Sequence, residues 1–187
     1  MTDEQIIQNC LAGNQQGYSA LVKKYEKLVF TLSLRIVKDR EDAHEVAQDA
    51  FLKAFRYLGD FRGDCKFSTW LYKIVYSTSL NHLRKKRPEI LSFDDDAKPI
   101  SLPTLHAQSA DYLTEKNEQS QLIENAIAQL PTNYATIITL FYLYEQKIDE
   151  ICITMEINNS NAKTQLSRAR QRLKEILEQQ NLVNRKI

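Results

Sequence analysis

Glycine and proline are scarce in this chain, whose 187 residues include only four of each. Both residues interrupt helices, and apolar residues recur at helical spacing over long stretches, so the sequence predicts an all-α fold. Long apolar runs are absent too: none approaches the roughly 20 residues that span a bilayer. The opening residues Met1-Thr-Asp-Glu lack the basic-then-apolar pattern of a secretion signal. We therefore expect no membrane insertion and a cytoplasmic location.

Cysteine is rare as well. Cys10, Cys65 and Cys152 are widely separated and form no Cys-x-x-Cys pair, which excludes a disulfide framework and the usual ligand spacing of a zinc site. The three histidines show no metal-ligand spacing either. Paired carboxylates, a nucleophile beside a base and a glycine-rich phosphate loop are all missing from the sequence. We therefore expect no metal, no cofactor and no enzymatic activity.

Charge is balanced overall but unevenly distributed. The formal net charge is +1. Residues 1–87 hold 15 basic and 10 acidic side chains, residues 88–118 hold 2 and 7, and residues 119–187 hold 8 and 7. The middle segment also contains three of the four prolines and lacks helical periodicity, which is typical of a flexible acidic linker. The sequence thus predicts two small helical domains, 1–87 and 119–187, joined by the linker 88–118.

One predicted helix of the first domain has two contrasting faces. At about 100° per residue, small and apolar residues share the side that we expect to pack inward. They are Ala43, Val46, Ala47, Ala50, Ala54 and Leu58. The other side is acidic, with Glu41, Asp42, Glu45 and Asp49 around Leu52. An exposed leucine among acids is typical of a protein-docking surface, although a solvated face with one stray apolar residue is the alternative.

Aromatic and basic residues are concentrated just after this helix. Seven aromatics lie between residues 55 and 76, and two glycines interrupt the helical pattern there, which predicts a shaped loop. In the helix that follows, periodicity places Phe67, Trp70, Leu71 and Val75 on the core side and Tyr72 and Tyr76 on the other side. Aromatics interleaved with cations can stack on unpaired bases and hold phosphates. The candidates for contact with single-stranded nucleic acid are Arg62, Lys66, Tyr72, Tyr76 and Arg84.

The second domain ends in a helix-turn-helix pattern. Residues 134–144 are almost wholly apolar and predict a buried central helix; a short helix at 148–155, a turn at 156–159 and a long helix from 160 follow. The long helix carries five cations and no acid before residue 175, so we expect it to enter the major groove of DNA. The candidates near its start, for base edges, are Ser160, Lys163, Thr164, Gln165, Ser167 and Arg168. The candidates for backbone phosphates are Arg170, Arg172 and Lys174.

These patterns resemble bacterial RNA polymerase sigma factors, in particular the extracytoplasmic-function (ECF) group. The matching runs in the first domain are Asp39–Phe55, Phe67–Ile74 and Asn81–Arg87, and those in the second are Leu130-Pro131, Asp149–Ile151 and Lys163–Arg170. The resemblance implies a factor that binds core RNA polymerase and recognises the minus-35 and minus-10 elements of promoter DNA. It also implies an anti-sigma factor as a partner.

The resemblance assigns roles by position. The residues that it places against the polymerase are Glu45, Gln48, Asp49 and Leu52. It places Arg62, Lys66 and the residues near Tyr76 against the separated strand of the minus-10 element. The helix-turn-helix would bind the minus-35 element.

Two other classes of protein fit parts of the sequence. A stand-alone helix-turn-helix regulator would have the second domain, but it would not need Leu52 among acids or the aromatic loop. An adaptor that binds other helices through its amphipathic faces would not protect promoter DNA. Binding to core polymerase separates the first alternative from a sigma factor, and promoter protection separates the second.

Overall fold

The computed structural model describes residues 2–86 and 118–184, and all regular structure in these ranges is helical. The N-terminal helices are α1 (Asp3–Leu11), α2 (Gln15–Val37), α3 (Arg40–Arg56) and α4 (Phe67–Lys86), with a 3-10 turn at Leu58–Asp60. The C-terminal helices are α5 (Glu118–Ala128), α6 (Thr132–Ile138), α7 (Ile148–Met155) and α8 (Asn159–Asn184), with a π-helical turn at Thr139–Leu143. The all-α fold with two helical domains is confirmed. The predicted linker lies outside the described residues, apart from its last residue.

Polar side chains fix the starts of the N-terminal helices. Thr2, Asn14 and Asp39 precede α1, α2 and α3, and each side chain accepts a hydrogen bond from a backbone N–H of the first turn, at 3.4, 2.9 and 3.0 Å respectively. Such caps satisfy donors that have no partner within the helix. Lys38 ends α2 in the left-handed conformation, with φ of 58°, and so turns the chain into α3.

The backbones of α1 and α2 approach each other closely at Gly17. A Cβ added there would lie 2.7 Å from the backbone N of Cys10 and 2.9 Å from the carbonyl carbon of Asn9. Both distances are shorter than van der Waals contact, so this crossing requires glycine. Ile6, Ile7 and Cys10 of α1 are buried beside it.

The apolar side of α3 packs inward as predicted. All six predicted residues are buried: Ala43, Val46, Ala47, Ala50 and Ala54 of α3, and Leu58 of the 3-10 turn that follows. Helix α4 is buried on more than one side: Leu71 and Val75, on the predicted core side, are fully buried, and Tyr72 and Tyr76 on the other side are buried too. Tyr72 and Tyr76 are buried because the C-terminal domain lies against the N-terminal domain. In this arrangement α7 packs against α4, and α6 packs against α2. A single hydrophobic core therefore runs through both domains.

The apolar segment 134–144 is helical through residue 143, and its residues 134–140 are buried as predicted. Helix α6 ends at Ile138, and the π-helical turn follows, with the N–H of Tyr144 donating to the carbonyl of Thr139 at 3.1 Å. A π turn adds a residue to the helical repeat and so changes the direction of the side chains that follow. Tyr142 and Leu143 are 52% and 43% exposed. The prediction of a buried helix through residue 144 is therefore wrong at Tyr142 and Leu143.

A membrane-spanning segment would need a helix both long and strongly apolar. Among the helices that the structure describes, none meets both conditions.

Candidate nucleic-acid interface

Helices α7 and α8 form the predicted helix-turn-helix. At the start of α7 the Glu150 carboxylate accepts a hydrogen bond from the N–H of Lys147 at 2.8 Å. Glu156 ends α7 in the left-handed conformation, with φ of 57°, and Asn158 caps α8 by accepting the N–H of Asn161 at 2.8 Å. Each bond satisfies a helix-end donor. The turn therefore holds the two helices at a fixed angle.

One side of α8 anchors the helix and leaves the other exposed. Ala162, Leu166 and Ala169 are at most 4% exposed. Eight of the nine candidates for DNA contact on α8 are exposed: Ser160, Lys163, Thr164, Ser167, Arg168, Arg170, Arg172 and Lys174. Gln165 is half-buried, and its Nε2 donates to Oδ1 of Asn161 at 2.9 Å. Its position at the edge of the buried face makes Gln165 the least accessible candidate.

The cations of α8 differ in their surroundings. Arg170 donates from Nε to the Tyr142 hydroxyl at 2.8 Å, and its guanidinium lies 5.1 Å from the centre of the Phe141 ring. Further along, Arg172 and Lys174 lie 2.9 and 3.7 Å from glutamate oxygens of the next helical turn. Lys163 and Arg168 lie in the half of the helix that has no acid. Tyr142 is a contact that sequence reasoning missed, because the π turn that exposes it left no signal in the sequence.

The predicted polymerase-facing residues form one exposed strip on α3. Glu45, Gln48 and Asp49 are exposed, and Leu52 among them is 64% exposed. At 100° per residue the four lie within one third of the helix circumference. The strip therefore combines one large apolar side chain with two acids on a surface that no described residue covers.

Asp42 does not belong to this exposed acidic face, contrary to the periodicity argument. It is buried, and Nζ of Lys86 donates to both of its carboxylate oxygens at 2.7 Å, while Nε2 of His82 lies 3.3 Å away. Burial alone would raise the pKa of the Asp42 carboxyl, but Lys86 and His82 outweigh it and hold that pKa below its ordinary value. With Glu45 and His82, Asp42 forms a group of metal-ligand types within 4.8 Å, yet the Lys86 ammonium already neutralises its carboxylate.

The five candidates for single-stranded nucleic acid do not share an open surface. Arg62 and Arg84 are exposed, whereas Lys66 forms an ion pair with Glu150 of α7, with 2.9 Å between Nζ and Oε1. Tyr72 and Tyr76 are only 3% and 9% exposed.

The reason for their burial is the C-terminal domain, which was not predicted to lie there. The Tyr72 ring packs against the Tyr144 ring with 4.8 Å between centroids. Burial, with the Glu156 carboxylate nearby, also raises the pKa of the Tyr76 hydroxyl. The expected accessibility of both tyrosines is therefore wrong for this arrangement of the domains.

A buried polar network joins the domains beside these tyrosines. Nε2 of Gln146 donates to Oγ1 of Thr69 at 3.4 Å, and Oγ1 of Thr154 donates to Oε1 of Gln146 at 3.2 Å. All three residues are at most 5% exposed. Because Gln146 and Thr69 lie 77 positions apart in the sequence, no local pattern predicted the bond that links the domains.

Comparison with known proteins identifies both domains. Residues 21–89 match the family model for Sigma-70 region 2, and residues 120–173 match that for Sigma-70 region 4. The chain is 30% identical over 181 residues to RNA polymerase sigma-H factor of Pseudomonas aeruginosa, with 94% of each chain covered. It is 31% identical over 183 residues to the ECF RNA polymerase sigma-E factor of Escherichia coli K12, with 91% of this chain and 92% of the relative covered.

The fold is also shared with a solved structure of the sigma factor RpoE in complex with the anti-sigma factor NepR from Bartonella quintana. That match has a TM-score of 0.68 and 18% identity, and it covers 86% of this chain and 96% of the other. Two family models in the expected order and relatives similar over nearly their whole length give one conclusion. The chain belongs to the ECF sigma factors of RNA polymerase.

Proposed function

We propose that this chain directs core RNA polymerase to a set of promoters by contacting three partners with three surfaces. Helix α8 binds the minus-35 element. Helix α4 and the loop between the 3-10 turn and α4 bind the separated minus-10 strand. The strip on α3 formed by Glu45, Gln48, Asp49 and Leu52 docks on the polymerase. The polymerase supplies the catalytic chemistry, and this chain supplies none. Such a factor works in the cytoplasm, where the polymerase is.

The observation that carries this proposal is the first half of α8. Lys163, Thr164, Ser167 and Arg168 are exposed on the second helix of a helix-turn-helix, with no acid among them. Arg and Lys donors suit guanine edges, and hydroxyls suit several bases. The caps of α7 and α8 hold this half rigidly, which is what readout of a groove requires.

Support for polymerase docking comes from the exposed Leu52. A leucine that remains 64% exposed gains free energy when a partner covers it. The acids around it favour a basic partner surface, and a rim of charge around an apolar centre is the usual composition of a protein interface.

An anti-sigma factor is the further partner that we propose. Its support is the shared fold with RpoE, which was solved in complex with the anti-sigma factor NepR. The exposed strip that contains Leu52 is the surface on which an inhibitor would compete with polymerase.

In vitro transcription tests the whole assignment. Core RNA polymerase is mixed with the purified chain and a library of promoter fragments, and the transcripts are sequenced. We expect initiation from a defined subset with common minus-35 and minus-10 elements, and none without the chain. A chain that binds and protects DNA alone but does not associate with core polymerase would instead be a stand-alone regulator.

A further inference from the structure

The exposed guanidinium of Arg170 is held by two aromatic residues of the π-helical turn. Nε of Arg170 donates to the Tyr142 hydroxyl oxygen at 2.8 Å. The guanidinium carbon lies 5.1 Å from the centre of the Phe141 ring and 5.5 Å from the centre of the Tyr142 ring. The two rings meet edge to face, with 5.0 Å between their centroids and 77° between their planes. One hydrogen bond and two ring contacts therefore fix the direction of a long side chain.

The π-helical turn is what brings Tyr142 to Arg170. The N–H of Tyr144 donates to the carbonyl of Thr139 at 3.1 Å, and this wider turn adds a residue to the helical repeat. It turns Tyr142 away from the core, so that this side chain is 52% exposed. Single π-helical turns within helices occur frequently at functional sites. The helix thus departs from regular geometry at the residue that holds the arginine.

Arg170 lies on the flank of the DNA-facing side of α8. It is about three helical turns from the start of the helix, and about 120° around the axis from Thr164, which points away from the buried side. Residues near the start of a recognition helix contact base edges, and phosphates of the backbone border the groove that it enters. The position of Arg170 therefore suits a phosphate rather than a base.

The contacts within this group leave hydrogen-bond donors for an anion. Among the described residues, the bond to Tyr142 and the two ring contacts are the interactions that the structure gives Arg170, and its terminal nitrogens Nη1 and Nη2 donate to none of them. The Tyr142 hydroxyl accepts one hydrogen bond and keeps its own proton to donate. A guanidinium donates paired, charge-assisted hydrogen bonds to phosphate oxygens. Arg170 and Tyr142 together can thus donate to one phosphate group.

Arg170 also differs from the next two cations of α8 in the charge of its partner. Arg172 and Lys174 lie 2.9 and 3.7 Å from the carboxylates of Glu175 and Glu178. A carboxylate beside a cation reduces the attraction of that cation for a phosphate. The partner of Arg170 is a neutral hydroxyl, which orients the guanidinium without reducing its net charge. Orientation in advance also lowers the entropy that is lost on binding.

We propose that Tyr142 and Arg170 form a phosphate clip, a site for one backbone phosphate of duplex DNA beside the minus-35 element. Arg170 supplies the positive charge and the paired donors. Tyr142 positions the guanidinium through Nε and donates its hydroxyl proton to an oxygen of the same phosphate. The phosphate clip rests on the proposed function only in that α8 lies in the groove of DNA, and it needs no contact with polymerase.

Removal of the hydroxyl tests the phosphate clip in the full-length chain. The probe is a fluorescein-labelled duplex that the unmodified chain itself selects from a pool of random duplexes at low salt, where phosphate contacts are strongest. Tyr142→Phe removes the hydroxyl and keeps the ring. Tyr57→Phe makes the same change at a tyrosine of the N-terminal domain with a similar exposure, 49% against 52%. We expect Tyr142→Phe to bind the duplex roughly two- to tenfold more weakly, and Tyr57→Phe to bind it like the unmodified chain.

A double-mutant cycle shows whether Tyr142 acts through Arg170. Arg170→Ala should weaken binding and lower the slope of log affinity against log salt concentration by about one. The loss caused by Tyr142→Phe should then be smaller in the Arg170→Ala background than in the unmodified chain. Equal losses in the two backgrounds would overturn the positioning role. Circular dichroism checks folding, and if Arg170→Ala does not fold, Arg170→Lys, which keeps the charge but lacks Nε, takes its place.

Neutral linkages in the DNA give a measurement that a purely structural role of Tyr142 would not change. Methylphosphonates replace the phosphates of the selected duplex one at a time, and each removes one negative charge. We expect one position at which the methylphosphonate weakens binding by the unmodified chain, has an intermediate effect on Tyr142→Phe and has little effect on Arg170→Ala. If no position behaves in this way, the phosphate clip is overturned.

The outcomes separate the phosphate clip from the sigma-factor assignment. Equal binding by Tyr142→Phe and Tyr57→Phe, in a chain that directs transcription with core polymerase, would overturn the clip and leave the proposed function intact. The expected binding losses in a chain that supports no transcription would overturn the proposed function and leave the clip intact. Failure of the unmodified chain to select any duplex would overturn DNA binding by α8, and the clip with it.

Discussion

Replacement of Leu52 is the sharpest test of polymerase docking, because the side chain contributes little to the fold. It is 64% exposed, so about two thirds of the 1.5–3 kcal/mol available from burying a leucine remains to be gained in a complex, or about 1–2 kcal/mol. Leu52→Ala should therefore weaken binding to core polymerase roughly 5- to 30-fold. Leu52→Asp should weaken it further, because a carboxylate would lose its hydration in an apolar contact.

The measurement is a competition titration of core polymerase, with a labelled reference sigma factor displaced by each variant. Leu11→Ala is the control, since Leu11 is a leucine on α1 with a similar exposure of 52%. The free energies of unfolding of both alanine variants should lie within about 0.5 kcal/mol of that of the unmodified chain, as expected for surface positions. Unchanged affinity of Leu52→Asp, or equal losses for Leu52→Ala and Leu11→Ala, would refute the docking surface.

Two further predictions concern DNA recognition and stability. Arg168→Ala should lower the free energy of binding to a cognate minus-35 element by about 1–3 kcal/mol and relax the preference for its bases. Arg172→Ala should weaken binding to all DNA sequences alike and reduce the slope of log affinity against log salt concentration by about one. Equal sequence preferences for the two variants would contradict this division. Asp42→Asn should lower the free energy of unfolding by about 1–3 kcal/mol at neutral pH by weakening the bond to Lys86. The pKa of Asp42 is lowered in the folded state. The stability difference between Asp42→Asn and the unmodified chain should therefore be full above the unfolded-state pKa near 3.8, and it should shrink as the pH falls through the folded-state pKa. A stability difference that persists undiminished in acid would count against the ion pair.

Helical periodicity predicted much of the fold and of α8, for local reasons. A stripe such as Ala43, Val46 and Ala50 identifies the buried side of α3 without knowledge of what covers it, since burial of apolar surface is insensitive to the partner. Helix α7 has the bounds that the sequence predicted, because its apolar residues and first-turn acids lie within a single short element. The position of Leu52 on the outer face followed from the same spacing.

The errors share a different cause, which is long-range packing. Periodicity places Tyr72 and Asp42 on outer faces, and each is buried by a partner distant in sequence: Tyr144 for the tyrosine, and Lys86 for the aspartate. Nothing near either residue encodes such a partner. Aromatic residues interleaved with cations also suit both nucleic acid and a second protein surface, so composition alone could not distinguish an open site from a covered one.

The close crossing of α1 and α2 has a consequence for variation at Gly17. A methyl group there would meet backbone atoms of α1 at 2.7 and 2.9 Å, and backbone cannot turn aside as a flexible side chain can. Even alanine would push the first helix outward by several tenths of an ångström and loosen Ile6, Ile7 and Cys10, which it carries into the interior. Related sequences that keep this spacing between α1 and α2 must therefore keep glycine at this position. A relative with another residue there is expected to place its first helix farther from the second.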